Sequence, residues 1–165
     1  MKRKRNKGKR NIKKELITPE SDYIDIVLSN HEQYLKMLNL IRKETKKIII
    51  VQIDGKDETD PVVNTAKKMM TVEKIEVVSE WFSTIAPGRK AVQYTFLKKR
   101  EFFDYLNSFE SFFIVSSTNP YTVIDTDFGF DDIAFLDSND ELLFYTTTHE
   151  GFASLSKRYL AYLDE

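Results

Sequence analysis

The segment of the chain with the clearest chemical potential is an acidic loop around one glycine, Asp125-Thr126-Asp127-Phe128-Gly129-Phe130-Asp131-Asp132. Carboxylates at alternating positions are typical of loops that arrange hard oxygen ligands around Ca²⁺. This loop departs from the EF-hand pattern, because Phe130 occupies the position of the invariant glycine and Leu136 that of the final glutamate. Other calcium or magnesium geometries stay open. We predict no metal here and expect a solvated turn whose Phe128 and Phe130 point inward.

A second candidate for chemistry is the pair His149-Glu150, because histidine is the usual general base and a neighbouring glutamate can orient it. The pair is not part of an H-E-x-x-H motif. Thr147 stands three residues before Glu150 and an apolar run follows, which is the pattern of a capping box. We therefore interpret Glu150 as the cap of a C-terminal helix. We expect His31 to lie on the first helix along its apolar stripe, at the boundary between core and solvent, and not to act as a ligand.

Several classes of site are excluded by residue content. The chain has no cysteine, which excludes disulfides, thiolate zinc sites and cysteine nucleophiles. It contains no G-x-S-x-G elbow, no P-loop and no G-x-G-x-x-G fingerprint, and it has only five glycines. The single tryptophan, Trp81, is interpreted as a packing residue on a strand. We predict no cofactor.

The charge of the chain is divided between a basic arm and an acidic body. The basic arm, residues 1–14, contains nine of the 25 basic residues and no acid. The acidic body, residues 15–165, contains the other 16 basic residues and all 26 acids, a net charge of −10. An arm of this kind binds polyanions through sequence-independent, salt-dependent contacts. It has no interleaved aromatic residue for base stacking and no acylation signal, so a plain solubilising tail is the competing interpretation. The predicted polyanion-binding residues are Lys2, Arg3, Lys4, Arg5, Lys7, Lys9, Arg10, Lys13 and Lys14.

The acids are concentrated toward the C-terminus, since residues 119–165 contain ten acids and two bases. A face of this charge suits a basic partner protein, because complementary fields speed association and fix orientation. The residues predicted to form it are Asp125, Asp127, Asp131, Asp132, Asp137, Asp140 and Glu141.

The elements that must position these residues can be read from hydrophobic periodicity. The β-branched run at residues 48–53 is apolar on both faces and predicts a central strand. The other predictions are helices at 19–45, 61–70 and 98–109, strands at 74–84, 90–98, 111–116 and 121–125, a hairpin of strands 133–136 and 142–147, and a final helix carrying Phe152, Leu155, Tyr159 and Leu163.

Together these elements predict one α+β domain over residues 18–165, with a mostly antiparallel sheet, helices on one face and a disordered basic tail at 1–17. The predicted core contains Leu28, Leu35, Leu38, Ile49, Val51, Phe96, Phe103, Leu106, Phe113, Phe135 and Leu155.

Three functional hypotheses follow. The first is a non-enzymatic protein-binding module, such as an immunity or inhibitor protein, that docks a basic partner through its acidic C-terminal face. The second is a nucleic-acid-associated accessory protein tethered by the arm. The third is a metal-dependent enzyme that uses Asp125, Asp127, Asp131 or Asp132 with His149. Because the basic run leads into neither a signal-like apolar stretch nor a spanning one, we expect a cytoplasmic protein.

Overall fold

A computed structural model describes residues 21–28, 30–53, 59–82, 84–119 and 122–163 of the chain, and the predicted tail lies outside these residues. The strands are β1 (Tyr23–Asp25), β2 (Lys47–Gln52), β3 (Thr71–Val78), β4 (Glu80–Trp81), β5 (Thr84–Ile85), β6 (Ala91–Leu97), β7 (Ile114–Val115), β8 (Val123–Asp125), β9 (Asp132–Leu136), β10 (Leu142–Thr147) and β11 (Phe152–Ser156). The helices are α1 (His31–Glu44), α2 (Pro61–Met69) and α3 (Arg100–Leu106), with 3₁₀ segments at Thr148–Glu150 and Lys157–Tyr162.

Seven of the strands form one sheet in the order β1-β11-β10-β9-β2-β6-β3, and every neighbouring pair is antiparallel. The predicted central strand is confirmed, because β2 lies between β9 and β6 and is apolar toward both faces. Two small two-stranded sheets, β4–β5 and β7–β8, complete the strand set.

One face of the sheet carries the main core. Ile48 and Ile50 of β2 point to this face, where they join buried side chains of α1, α2 and α3 in one cluster. The predicted α+β architecture, with helices packed on one face of an antiparallel sheet, is therefore confirmed. None of the helices in the described residues is long and apolar enough to cross a membrane.

The opposite face has a smaller cluster of its own. Ile49 and Val51 alternate with the residues of the main core and pack with Trp81 and Ala91. The short hairpin β4–β5, which contains Trp81, covers this part of the sheet. We call this side the hairpin face.

The centre of the main core is aromatic. The ring of Phe112 lies 5.0 Å from Tyr34 and 5.8 Å from both Phe128 and Phe144, measured between ring centroids. All predicted core residues are buried except Leu35 and Ile49, which are partly buried.

The first predicted helix is too long at its N-terminal end. Residues Tyr23–Asp25 form the strand β1, and α1 starts only at His31. Asn30 is its N-cap, since the Asn30 side chain accepts a hydrogen bond from the backbone N–H of Gln33 at 2.9 Å. The spacing of Ile24 and Leu28 is also compatible with a strand and a loop, and pairing with β11 decides the outcome. The predicted start of α2 is confirmed, with Asp60 capping the helix.

The final predicted helix is wrong. Residues 152–156 form β11, which pairs with β1 on one side and β10 on the other, and residues 157–162 form a 3₁₀ segment. The i, i+3 spacing of Phe152 and Leu155 suggested a helix, but hydrogen bonds to two neighbouring strands outweigh this local pattern. The predicted strand at 111–116 is reduced to Ile114–Val115.

Candidate functional site

Asp132 is the centre of a buried polar network on the hairpin face. It pairs with Val51 across β2 and β9, and its side chain has no solvent exposure. Its Oδ2 accepts a hydrogen bond from the indole Nε1–H of Trp81 at 2.7 Å. Its Oδ1 accepts one from the backbone N–H of Thr148, also at 2.7 Å. A carboxylate can be buried in this way only because these donors replace water.

His149 completes this network at the protein surface. Its Nδ1 lies 3.3 Å from Asp132 Oδ1, and its Nε2 lies 3.7 Å from Glu150 Oε1. The hydrogen bond to Asp132 raises the pKa of His149 above its ordinary value against the opposing effect of burial, with further attraction from Asp132 and Glu150 and repulsion from Arg89. The imidazole side chain is 28% exposed. A carboxylate on one nitrogen and an accessible second nitrogen is an arrangement that supports general acid–base chemistry.

The turn that carries His149 is held by threonine hydroxyls. Thr146 Oγ1 lies 2.8 Å from Thr148 Oγ1 and accepts a hydrogen bond from the backbone N–H of Ile133. Gly151 has a φ of +74°, the left-handed conformation that lets the chain turn from the 3₁₀ segment into β11. The predicted capping box is therefore wrong: Thr147 makes no side-chain cap, and Glu150 is an exposed neighbour of His149.

Asp131 belongs to a different environment, because successive residues of a strand point to opposite faces. Its side chain is hydrogen-bonded to that of Asp60, the N-cap of α2, and Asp60 also contacts Gln52. Burial raises the pKa of Asp60, but the hydrogen bonds from Asp131, the backbone N–H of Val63 and Gln52 outweigh it and hold that pKa below its usual value.

The loop before β9 has a fixed backbone. Thr126 Oγ1 lies 2.6 Å from the carbonyl oxygen of Phe112 and accepts a hydrogen bond from the backbone N–H of Phe128. Asp127 Oδ2 accepts a hydrogen bond from the backbone N–H of Glu110 at 2.7 Å. Phe128 is fully buried, as predicted, but the prediction that Phe130 points inward is wrong, because its side chain is 62% exposed.

The acids predicted to form one docking face lie at the two ends of the β9–β10 hairpin. Asp125, Asp127, Asp131 and Asp132 lie at the end where β9 begins, and Asp137, Asp140 and Glu141 lie at the turn between β9 and β10. Five residues of β9 separate the ends, which corresponds to about 16 Å of extended chain.

At the β9–β10 turn, the acids are used within the fold. Asp137 is buried and accepts hydrogen bonds from the backbone N–H groups of Asn139 and Glu141. Asp140 pairs with Lys47 at 3.0 Å and Glu141 with Arg158 at 2.5 Å. These two cations offset part of the charge of the three acids, and Lys47 is also paired with Glu73.

At the other end, the exposed groups are Asp127, Phe130 and Glu150, with His149 and the partly buried Asp131 between them. The 3₁₀ segment that carries Glu150 contacts β8 and β9, the two strands joined by the loop of Asp127 and Phe130, so these residues lie at one end of the sheet. We call it the acidic tip. Asp132 lies beneath this surface and is closed to a partner. The sequence pattern identified Asp127 but missed Phe130 and the contact between Asp132 and His149.

No group of three or more His, Cys, Asp or Glu side chains within the described ranges is arranged to hold a metal ion. Comparison of the chain with protein-family models, curated proteins and solved structures gives no match.

Proposed function

We propose that this protein is a non-enzymatic binding module of the inhibitor type, which docks a basic partner protein through the acidic tip. The observation that carries this proposal is Phe130, a large aromatic side chain that is 62% exposed within an acidic loop of fixed backbone. Aromatic side chains at the centre of an interface supply much of its binding free energy.

The rigid loop favours tight binding. Its backbone is held by Thr126 and by the hydrogen bond to Asp127, so little conformational entropy is lost when a partner covers Phe130. Asp127 is exposed three residues before Phe130 in the same loop, and Glu150 is exposed on the 3₁₀ segment that contacts β8 and β9. Charges at the border of an interface act mainly on the association rate and on the choice of partner, and they select for a basic surface.

The second end of the β9–β10 hairpin is a poor docking surface. Asp140 forms an ion pair with Lys47, and Glu141 forms one with Arg158. A partner would have to displace these cations to reach the carboxylates. The proposal therefore concerns the acidic tip alone.

The test begins with capture of partners from a lysate of the source cells by the immobilised full chain. A captured basic protein is then purified, and its association and dissociation rates are measured at low and high salt. We expect Phe130→Ser to weaken binding about 30-fold, the equivalent of losing an anchor worth about 2 kcal/mol. Asp127→Asn combined with Glu150→Gln should slow association several-fold at low salt and hardly at all at high salt.

The matched control is the double variant Asp140→Asn and Glu141→Gln, which removes the same charge from the other end of the hairpin. It should leave both rates unchanged. Equal effects of the two double variants would contradict docking at the tip, since only the overall charge would then matter. Full binding by Phe130→Ser would contradict the anchor.

A second candidate function, an acid–base enzyme, is favoured by the hydrogen bond between Asp132 and His149. The buried carboxylate contacts Nδ1 of the imidazole, and Nε2 lies 3.7 Å from the exposed Glu150. Hydrolysis of chromogenic esters and phosphates by the full chain tests it. Any activity that belongs to this pair should fall at least about 100-fold in His149→Gln. Activity that persists in this variant would exclude the pair as its source.

A further inference from the structure

A groove of about 780 Å³ runs between the C-terminal half of α1 and the 3₁₀ segment at residues 157–162. Lys36, Arg42 and Lys43 line it from α1, and Tyr159 and Tyr162 form the opposite wall. A second depression adjoins it, in which Arg42 and Lys43 meet Lys98 and Arg100 from the segment that joins β6 to α3. We call these two surfaces together the basic groove.

Cations from separate elements converge in this groove. Lys and Arg in the last turn of a helix are stabilised by the helix dipole, which accounts for Arg42 and Lys43. It does not account for Lys98, which comes from a different element. Burial, and then repulsion from Lys46 and Arg42, lowers the pKa of Lys98 below its ordinary value. The Lys98 ammonium is held in place by a hydrogen bond to the carbonyl oxygen of Arg42.

Within the described ranges, little negative charge offsets these cations. Within the part of the chain that the structure describes, Arg42, Lys43 and Lys98 form no ion pair. Among the described residues, Glu44 is the one carboxylate in the lining of the groove, and Arg100 pairs with Asp104 only at 3.8 Å. An acidic body that gathers unpaired cations in one depression has a surface suited to an anion.

The tyrosine wall offers a flat apolar surface beside the cations. Tyr162 is 52% exposed, and its ring centroid lies 6.2 Å from that of Tyr159. Tyr159 packs against the main core, and the guanidinium of Arg158 lies 5.8 Å from its ring centroid. The wall is therefore anchored on one side and presents Tyr162 to the solvent. Cations in a groove with an exposed aromatic ring are the features of sites that bind a phosphate backbone and stack a base.

We propose that the basic groove binds a phosphate-bearing ligand with a planar base, either a free nucleotide or a stretch of single-stranded nucleic acid. Arg42, Lys43 and Lys98 contact the phosphate, and the base stacks on Tyr162. The groove lies at the end of the sheet where β2 begins, whereas the acidic tip lies where β2 ends. The proposal is thus independent of the docking function.

The test measures binding of three probes by the full chain, which are inorganic phosphate, ATP and a labelled short oligouridylate. Arg42→Gln combined with Lys43→Gln should weaken every probe that binds, by about tenfold for the oligonucleotide because phosphate contacts dominate its affinity. Tyr162→Ala should weaken ATP or oligouridylate at least about fivefold, the loss of one stacked base, and should leave phosphate unaffected. Tyr162→Phe should bind like the wild type.

The charge-matched control is Lys68→Gln with Lys90→Gln, two exposed lysines outside the groove. This control measures the effect of losing two positive charges anywhere on the protein. The basic arm is present in all variants and contributes equally to each. An equal loss in the control and in the groove variant would overturn the proposal, and so would an unchanged affinity of Tyr162→Ala for both base-bearing probes.

The probes also identify the ligand. Binding of ATP identifies a nucleotide site, and binding of the oligonucleotide alone identifies a site for single-stranded nucleic acid. If neither binds, the proposal is rejected. All substituted side chains are at least partly exposed, and unchanged melting temperatures verify folding.

Discussion

Among single residues, Asp132 is notable because it joins separate parts of the chain. Its three hydrogen-bond donors come from β4, from the backbone after β10 and from His149. Trp81 and Thr148 are buried, whereas His149 reaches the protein surface. The side chain therefore ties the covering hairpin to the sheet through polar contacts rather than through apolar area.

Replacing Asp132 by Ala should destabilise the protein by about 3–5 kcal/mol, because the indole N–H of Trp81 and the N–H of Thr148 lose their acceptor inside the protein. Urea unfolding measures the loss, and the single tryptophan provides the fluorescence signal. Asp127→Asn at the surface is the control and should cost no more than about 0.5 kcal/mol. A loss below about 1 kcal/mol for Asp132→Ala would show that water replaces the carboxylate.

The pH dependence of stability follows from the raised pKa of His149. Because the folded state holds the proton more tightly, the stabilisation is complete below the ordinary histidine value of about 6.5 and is lost as the pH rises through the folded-state pKa. The wild type should therefore exceed His149→Gln in unfolding free energy most strongly in mildly acidic solution. Urea titrations from acidic to alkaline pH test this. A difference that grows with pH would contradict the assignment.

The sequence identified the acidic residues of this region but not their roles. Adjacent Asp131 and Asp132 look equivalent in the sequence, yet strand alternation sends one toward α2 and the other to the hairpin face. Trp81 was correctly predicted as a packing residue, but its partner lies 51 positions away and no local pattern reports that distance. The exposure of Phe130 is likewise not visible from residue type, since Phe128 in the same loop is buried.

At the level of elements, the β9–β10 hairpin depends on its turn. Asp137 accepts two backbone N–H groups, so Asp137→Ala should cost about 1–2 kcal/mol, as for the loss of a helix cap. Burial raises the pKa of Asp137, but the hydrogen bonds from Glu141 and Asn139 and the charge of Arg158 outweigh it, so the folded-state pKa is lowered. The contribution is present above about pH 4 and is lost as the pH falls through the folded-state value. Chemical unfolding of the wild type and Asp137→Ala at a series of pH values tests this. A difference in unfolding free energy that stays constant below pH 3 would contradict it.

The aromatic core predicts a second effect at this scale. Phe112→Ala should destabilise the domain by about 3–5 kcal/mol, because the ring is fully buried among Tyr34, Phe128 and Phe144 and leaves a cavity. Phe113→Ala should fall in the same range, since Phe113 is also buried in the main core. Chemical denaturation gives both values. A cost under about 1 kcal/mol at either position would mean that the surrounding core collapses into the space.

Elements were predicted best where local signals and tertiary pairing agree. The run at 48–53 is β-branched and also central, and Asp60-Pro61 both caps and starts α2. The failures lie at β1 and β11, which pair with each other across almost the whole chain. Short strands of this kind are stabilised by pairing with neighbouring strands. A local stretch of sequence cannot reveal a pairing with a strand at the other end of the chain.

For the whole molecule, charge is divided twice: the basic arm against the acidic body, and the basic groove against the acidic tip. Deleting residues 1–14 should leave the melting temperature unchanged and should remove most non-specific, steeply salt-dependent affinity for RNA or DNA. Filter binding over a salt series and thermal unfolding of both proteins test this. Affinity that survives the deletion undiminished would place polyanion binding entirely in the folded body.

The order of strands in the sheet also determines how the chain must fold. β2 is made early but receives its second neighbour only when β9 arrives, and Tyr23 pairs with Ser156. Such pairings give a high contact order, and the entropy of closing long loops slows their formation. On the ribosome, the apolar strand at the centre of the sheet stays uncovered on one side until β9 (Asp132–Leu136) has emerged. The nascent chain therefore has a prolonged need for protection from aggregation, which the finished protein no longer shows.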